Sequence, residues 1–205
     1  VRDARADVVL ANGAECEPLL RADGELMTRE PGKVLRGLAL VAGSVGATRT
    51  VLAVRKENAK ALEALRTAAA GPDGPEFMVL ENVYPAGDEF VLVYEATGRV
   101  VPETGIPLDV GVVVHNVSTL SQIADAAEGL PVTRRLFTVQ GAVERPGTWT
   151  VPVGTPIGEL VSAARPTGGG HAVILGGPMM GRIEDDLDEP VVKTTSGIVV
   201  LPEDH

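Results

Sequence analysis

The sequence predicts an α/β fold: a Rossmann-like, doubly wound parallel sheet followed by a smaller β-grasp-like module. Three observations carry this. Short Val-rich apolar runs alternate with helical patterns from the start of the chain to about residue 131, the signature of right-handed βαβ crossovers. Beyond that point two alternating runs flank a turn, and a short helix and further strands follow, as in a β-grasp. The composition is 44% hydrophobic but only 3% aromatic, so the core is built from Val, Leu and Ala. With 205 residues either one large or two small domains can bury such a core. The texture change divides the chain into residues 1–131 and 132–205.

Each element follows from local pattern. Asp7 to Ala11 is a near-continuous apolar run ended by Asn12-Gly13, a buried strand breaking into a turn. Pro31 to Ala47 reads as a helix: proline sits at its start, Val34, Leu35, Leu38, Val41, Ala42 and Val45 recur at helical spacing, and Gly46 is its stop. Arg49 to Val54 is the next strand, Asn58 to Ala70 an amphipathic helix, GPDGP at 71 to 75 a turn, and Glu76 to Leu80 a third strand. YPAGDE at 84 to 89 is a loop, with a helix from Phe90 to Thr97. A Pro/Gly connection leads to a strand from Val110 to Val114, and HNVST at 115 to 119 turns into a helix carrying Leu120, Ile123, Ala124 and Ala127. In the second part, Leu136 to Val139 and Thr148 to Val153 alternate around the turn ERPG, Pro156 to Ala164 is a short helix, and Ala172 to Leu175 and Gly197 to Leu201 are strands.

Charge and composition exclude several functions. Lys and Arg number 18 against 28 for Asp and Glu, a net charge of −10, which opposes electrostatic capture of nucleic acid or an anionic membrane. The single cysteine, Cys16, rules out an internal disulfide framework and any zinc or cluster site made by this chain's cysteines alone. A reducing, cytoplasmic setting is the default. No run of about 18 apolar residues reads as a membrane span. The opening VRDARADVVL has no Met, and the chain reads as a piece of something longer.

In open parallel sheets ligands bind at the carboxyl ends of the strands. Three polar loops fall at strand tips or helix starts: NGAECEP from Asn12, YPAGDE from Tyr84 and HNVSTL from His115. Their order and wording resemble the flavin-binding domain shared by the flavin-bearing subunit of respiratory complex I, the RnfC component of the Rnf electron-transport complex and the PduS-type cobalamin reductases. The module from about residue 132 resembles the soluble-ligand-binding β-grasp (SLBB) domain that follows in that family. YPAGDE, GGPMMG and VKTTSGIVVLPEDH look most like the PduS and Rnf branch.

The resemblance implies an FMN site. Matched motif by motif, Asn12 and Glu15 fall on flavin-contacting positions, Gly87, Asp88 and Glu89 on the second loop, and His115, Asn116 and Thr119 on the third. It also implies NADH as electron donor, and transfer through [4Fe-4S] clusters to a cobalamin or membrane acceptor, in partnership with other electron-transfer subunits or a cobalamin-dependent protein. The setting it implies is cytoplasmic, inside a bacterial microcompartment or at the periphery of a membrane complex. Two family features are absent from this sequence: the glycine-rich loop that wraps the flavin phosphate, and the cluster cysteines that follow the β-grasp module. The family's first Asn of the third loop is His115, and an acidic residue of the first is Ala14. The alternative is a non-catalytic module that binds cobalamin or a partner subunit through its SLBB part.

Each residue also has a plainer role. Taken alone, Glu15 and Glu17 are solvated loop charges, and as a hydrolytic pair they have no nucleophile or metal motif behind them. Asp88 and Glu89 suit the positive end of a helix dipole. Asn116 and Thr119 suit the start of the next helix, a role compatible with ligand binding. His115 reads first as a structural hydrogen-bonding group and second as a proton donor to reduced flavin. Cys16 has nothing basic beside it in sequence to activate a thiol and reads as a small packed residue. Gly168 to Gly170 and Gly176-Gly177 are joints, since no GxxxxGK[ST] occurs. Met179-Met180 reads as core filling, and His171 and His205 have no assigned role.

Overall fold

The computed structural model describes residues 5–71 and 74–202; part of the turn GPDGP and His205 lie outside them. The chain divides into two compact units, one formed by Val1–Cys16 and Leu26–Pro131, the other by Glu17–Glu25 and Val132–His205.

The first unit is a four-stranded parallel sheet. Its strands are β1 (Val8–Gly13), β2 (Arg49–Arg55), β3 (Glu76–Leu80) and β4 (Val112–Asn116), in the order β3-β2-β1-β4. β1 is central, and Val8, Val9, Leu10 and Ala11 are all at most 2% exposed. A strand buried on both faces needs no polar alternation, which is why its sequence is a continuous apolar run. Val8, Leu10, Val51 and Ala53 join Leu92 and Val93 of helix α4 (Glu89–Thr97) in one cluster. The alternate residues Val9, Ala11, Leu52 and Val54 are equally buried and face the opposite side, where α2 (Pro31–Val45) and α5 (Val117–Ala127) pack on β1. Each fully buried Val or Leu of this kind contributes about 1.5–3 kcal/mol.

Helix α2 starts with proline in its first turn and ends at Gly46 in the left-handed region, φ 74°, as its sequence indicates. It crosses α5 so closely that a Cβ on Gly37 would lie 1.9 Å from the carbonyl oxygen of Leu120. Helix α3 (Ala59–Ala68) covers β2. Three elements have no counterpart in the sequence reading: helix α1 (Ala22–Arg29), within which the division of the two units falls, a two-residue strand at Arg182–Ile183 in the second unit, and a 3₁₀ turn at Pro107–Val110. That turn ends at Gly111, φ 73°, and moves the following strand two residues on. His115 and Asn116 are therefore the last residues of β4 rather than the turn expected from sequence.

The second unit is a five-stranded mixed sheet, β5 (Arg134–Gly141), β6 (Gly147–Pro152), β7 (His171–Leu175), β8 (Arg182–Ile183) and β9 (Gly197–Pro202), in the order β6-β5-β9-β7-β8. β5 and β9 run parallel, and β5-β6, β7-β8 and β7-β9 antiparallel. Helix α6 (Ile157–Ala164) packs Ile157, Leu160, Val161 and Ala164 onto Phe137, Val139, Val173 and Ile198. The segment 17–25 belongs to this unit: Leu20 is buried, and the Arg21 N–H donates to the Thr138 hydroxyl at 3.1 Å.

Candidate functional site

The connections of the parallel sheet reverse direction at β1. The chain passes from β1 outward through β2 to β3, then returns to place β4 on the other side of β1. A crevice opens at the carboxyl ends of the strands flanking such a reversal. β1 and β4 end there in register, with Ala11 opposite His115 and Asn12 opposite Asn116. Two of the three polar loops are thus neighbours because their strands are.

The third is fastened to the first. Asn12 Nδ2 donates to the Gly87 carbonyl at 2.9 Å, while Asn12 Oδ1 accepts the Ala14 N–H at 3.0 Å. The Gly87 N–H donates to Cys16 Sγ at 3.1 Å. Glycine is required by packing: a Cβ at position 87 would stand 2.4 Å from Cys16 Sγ and 2.5 Å from the Ala14 carbonyl oxygen. Cys16 is half-buried and holds the loop.

Asp88 N-caps α4, its Oδ1 accepting the Phe90 and Val91 N–H groups at 2.9 and 3.1 Å, and Glu89 occupies the first turn. Asn116 N-caps α5, its Oδ1 accepting the Ser118 N–H at 2.7 Å, and Thr119 lies exposed in the same first turn. Two helix N-termini therefore adjoin the strand tips, each partly satisfied by its own cap.

Arg55, at the tip of β2, is a member that sequence reasoning missed. Its Nη1 donates to the Glu15 carbonyl at 3.0 Å, and its side chain, 17% exposed, also lies 3.2 Å from Glu57. The signal was an arginine directly after the apolar run VLAV. His115 is half-buried, and burial pushes its imidazole below its ordinary pKa. The cluster at neutral pH is consequently a set of neutral amides and a neutral imidazole, edged by the carboxylates of Glu15, Asp88 and Glu89 and backed by the Arg55 guanidinium, which is paired with Glu57. Such a set orients an uncharged heterocycle and accepts hydroxyl protons.

Two readings are corrected in the second unit. Glu17 is not a solvated charge, for its carboxylate accepts the backbone N–H groups of Met179 and Met180 at 3.1 and 2.6 Å. For the same reason Met179 and Met180 are not core filling. The turn directs its N–H groups at the carboxylate and its side chains outward, leaving them 49% and 84% exposed.

The family described as Nuo51 FMN-binding domain matches residues 1–125, and the SLBB domain matches residues 136–183. The chain belongs to the Nuo51 FMN-binding family. Within it, the chain is 44% identical over 208 residues to the cobalamin reductase PduS of Salmonella typhimurium, covering 98% of this chain and 45% of that one. It is 41% identical over 206 residues to one component of the Na(+)-translocating ferredoxin:NAD(+) oxidoreductase complex of Acetobacterium woodii, covering 97% and 46%. The chain thus spans about half the length of these curated relatives. Among solved structures, an NAD+-reducing [NiFe]-hydrogenase in the air-oxidized state superposes with a TM-score of 0.78 at 26% identity, over 97% of this chain and 40% of that one. Among the described residues no helix is long and apolar enough to cross a membrane.

Proposed function

We propose that this chain is the flavin-binding and β-grasp portion of an NADH-linked electron-transfer protein. The observation that carries the reading is the convergence of three separate loops at the sheet's reversal point, with Asn12 in register with Asn116 and bonded to Gly87. The residues suit FMN chemically. An isoalloxazine edge needs uncharged donors and acceptors, which His115 and the backbone N–H groups beside it supply. The ribityl hydroxyls need acceptors, which Glu15, Asp88 and Glu89 supply.

Bound FMN supplies the conversion of a two-electron hydride transfer into single-electron steps. The protein's part is positional. Asn12 and Gly87 fix two of the loops against each other, and Asp88 and Asn116 set the starts of α4 and α5. His115, neutral in its half-buried position, presents a ring nitrogen as donor or acceptor. In the intact protein NADH would be the donor, and iron–sulfur clusters would supply the single-electron path toward a cobalamin or membrane-bound acceptor. The site of action is the cytoplasm, within a microcompartment or beside a membrane complex, as the two kinds of relative suggest.

The test is to titrate the chain separately with FMN and with cobalamin, and to assay the intact protein for NADH-dependent reduction of an artificial acceptor. Flavin binding that His115→Ala and Asn116→Ala weaken supports the reading. Cobalamin binding with no flavin binding would assign the chain to a ligand-binding or assembly role through its SLBB part instead.

A further inference from the structure

Helix α4 is apolar on both sides. Leu92 and Val93 are buried under the sheet, yet Phe90, Val91 and Tyr94 are 46%, 37% and 56% exposed. A helix with an apolar outer face has a partner for that face. The turn ahead of it adds Val83 and Tyr84, 61% and 66% exposed. In a chain with two tyrosines and three phenylalanines, this short stretch displays both tyrosines and one phenylalanine. Contiguous exposed apolar surface with a polar rim marks an interaction site, and tyrosine is enriched among the residues that dominate binding.

The rim has one sign. Glu81 and Glu95 are exposed around the patch, next to Asp88 and Glu89 of the strand-tip site. Lys56, which reaches this rim, is held 3.3 Å from Glu81, and Arg99 beyond the helix is paired with Asp7 at 2.5 Å. The surface is also set in advance. The Ala86 N–H donates to the Val83 carbonyl at 3.1 Å and the Asp88 N–H to the Pro85 carbonyl at 2.8 Å, and Asp88 caps the helix, so little ordering remains to oppose binding.

We propose that the outer face of α4 and the turn before it is a docking surface for a partner protein that presents an apolar patch ringed by lysine or arginine. A second copy of this chain would bring the same four carboxylates against these, and like charges across an interface cost several kcal/mol. An anionic membrane is repelled in the same way. A basic partner is steered in and then held by the aromatic centre. The turn that carries Tyr84 is the one bonded through Gly87 to the tip of β1, so a partner here sits beside the strand-tip site. The face itself stands on exposure and charge, and a failed flavin titration leaves it untouched.

The probe is cytochrome c, a basic protein whose exposed haem edge is ringed by lysines, titrated calorimetrically into the 205-residue chain at low ionic strength. The expected result is saturable binding that Phe90→Ser with Tyr94→Ser weakens by on the order of tenfold. Glu95→Lys weakens it severalfold, whereas Glu63→Lys, the same charge change on exposed α3, leaves it within about twofold. Should the double variant fail to fold, the comparison of Glu95→Lys with Glu63→Lys carries the test. Equal loss in those two variants would reduce the effect to diffuse charge and overturn the proposal. So would absence of binding, indifference to the aromatic changes, or concentration-dependent self-association abolished by Phe90→Ser with Tyr94→Ser.

Discussion

Asn12 uses both ends of its amide inside the protein, donating to the Gly87 carbonyl and accepting from the Ala14 N–H. Asn12→Ala leaves a partly buried donor and acceptor unpaired, at a cost of about 1–3 kcal/mol, read as a lower urea midpoint with unchanged slope. The loop around Gly87 should then open, and deuterium uptake at the Gly87 amide should rise. His115 allows a test by pH. Its folded pKa is lowered by burial, so the unfolded chain binds the proton more tightly. Stability from the neutral ring is complete above the ordinary imidazole pKa of about 6.5 and is lost as pH falls through the lowered folded value. An NMR titration should place the ring below 6.5, and His115→Gln should flatten the stability profile in that window. A folded pKa at or above the ordinary value would refute this.

The crossing of α2 and α5 leaves no room for a side chain at Gly37. A Cβ on Gly37 meets a backbone carbonyl rather than a flexible side chain, so the helices must separate or tilt. Gly37→Ala should therefore cost at least about 1–3 kcal/mol, lowering the melting temperature by roughly 2–4 °C per kcal/mol, although alanine is the better helix former. Nothing in a single sequence identifies Gly37 as the point of contact. By contrast β1 and α2 were legible, because a doubly buried strand is a continuous apolar run and a proline start and glycine stop mark a helix. Helix α1, eight residues including Gly24, and the two-residue β8 are too short to show a period. Met179 and Met180 were misread because their direction is set by Glu17, 162 and 163 positions away. The strand tips were legible as the place where polar loops gather; the bonds that join them through Gly87, and Arg55 behind Glu15, were not, since they link distant parts of the chain.

At the scale of the whole molecule, the two units have separate cores, one around Val8, Leu10, Ala53 and Leu92, the other around Phe137, Ile157, Val161 and Ile198. A ligand therefore stabilises first the unit it binds. Saturation at a hundred times Kd adds about 2.7 kcal/mol to the bound state, which slows amide exchange where opening would release the ligand. If FMN occupies the strand tips, protection should concentrate at residues 12–16, 84–89 and 115–119 and spread through the parallel sheet, while β5 to β9 exchange as before. Cobalamin held by the β-grasp unit gives the reverse map, in β5 to β9 alone. Mapping exchange with each ligand in turn thus separates a flavin domain from a ligand-binding SLBB module without any turnover assay. Protection by FMN confined to β5 to β9 would contradict the strand-tip site even if flavin bound tightly.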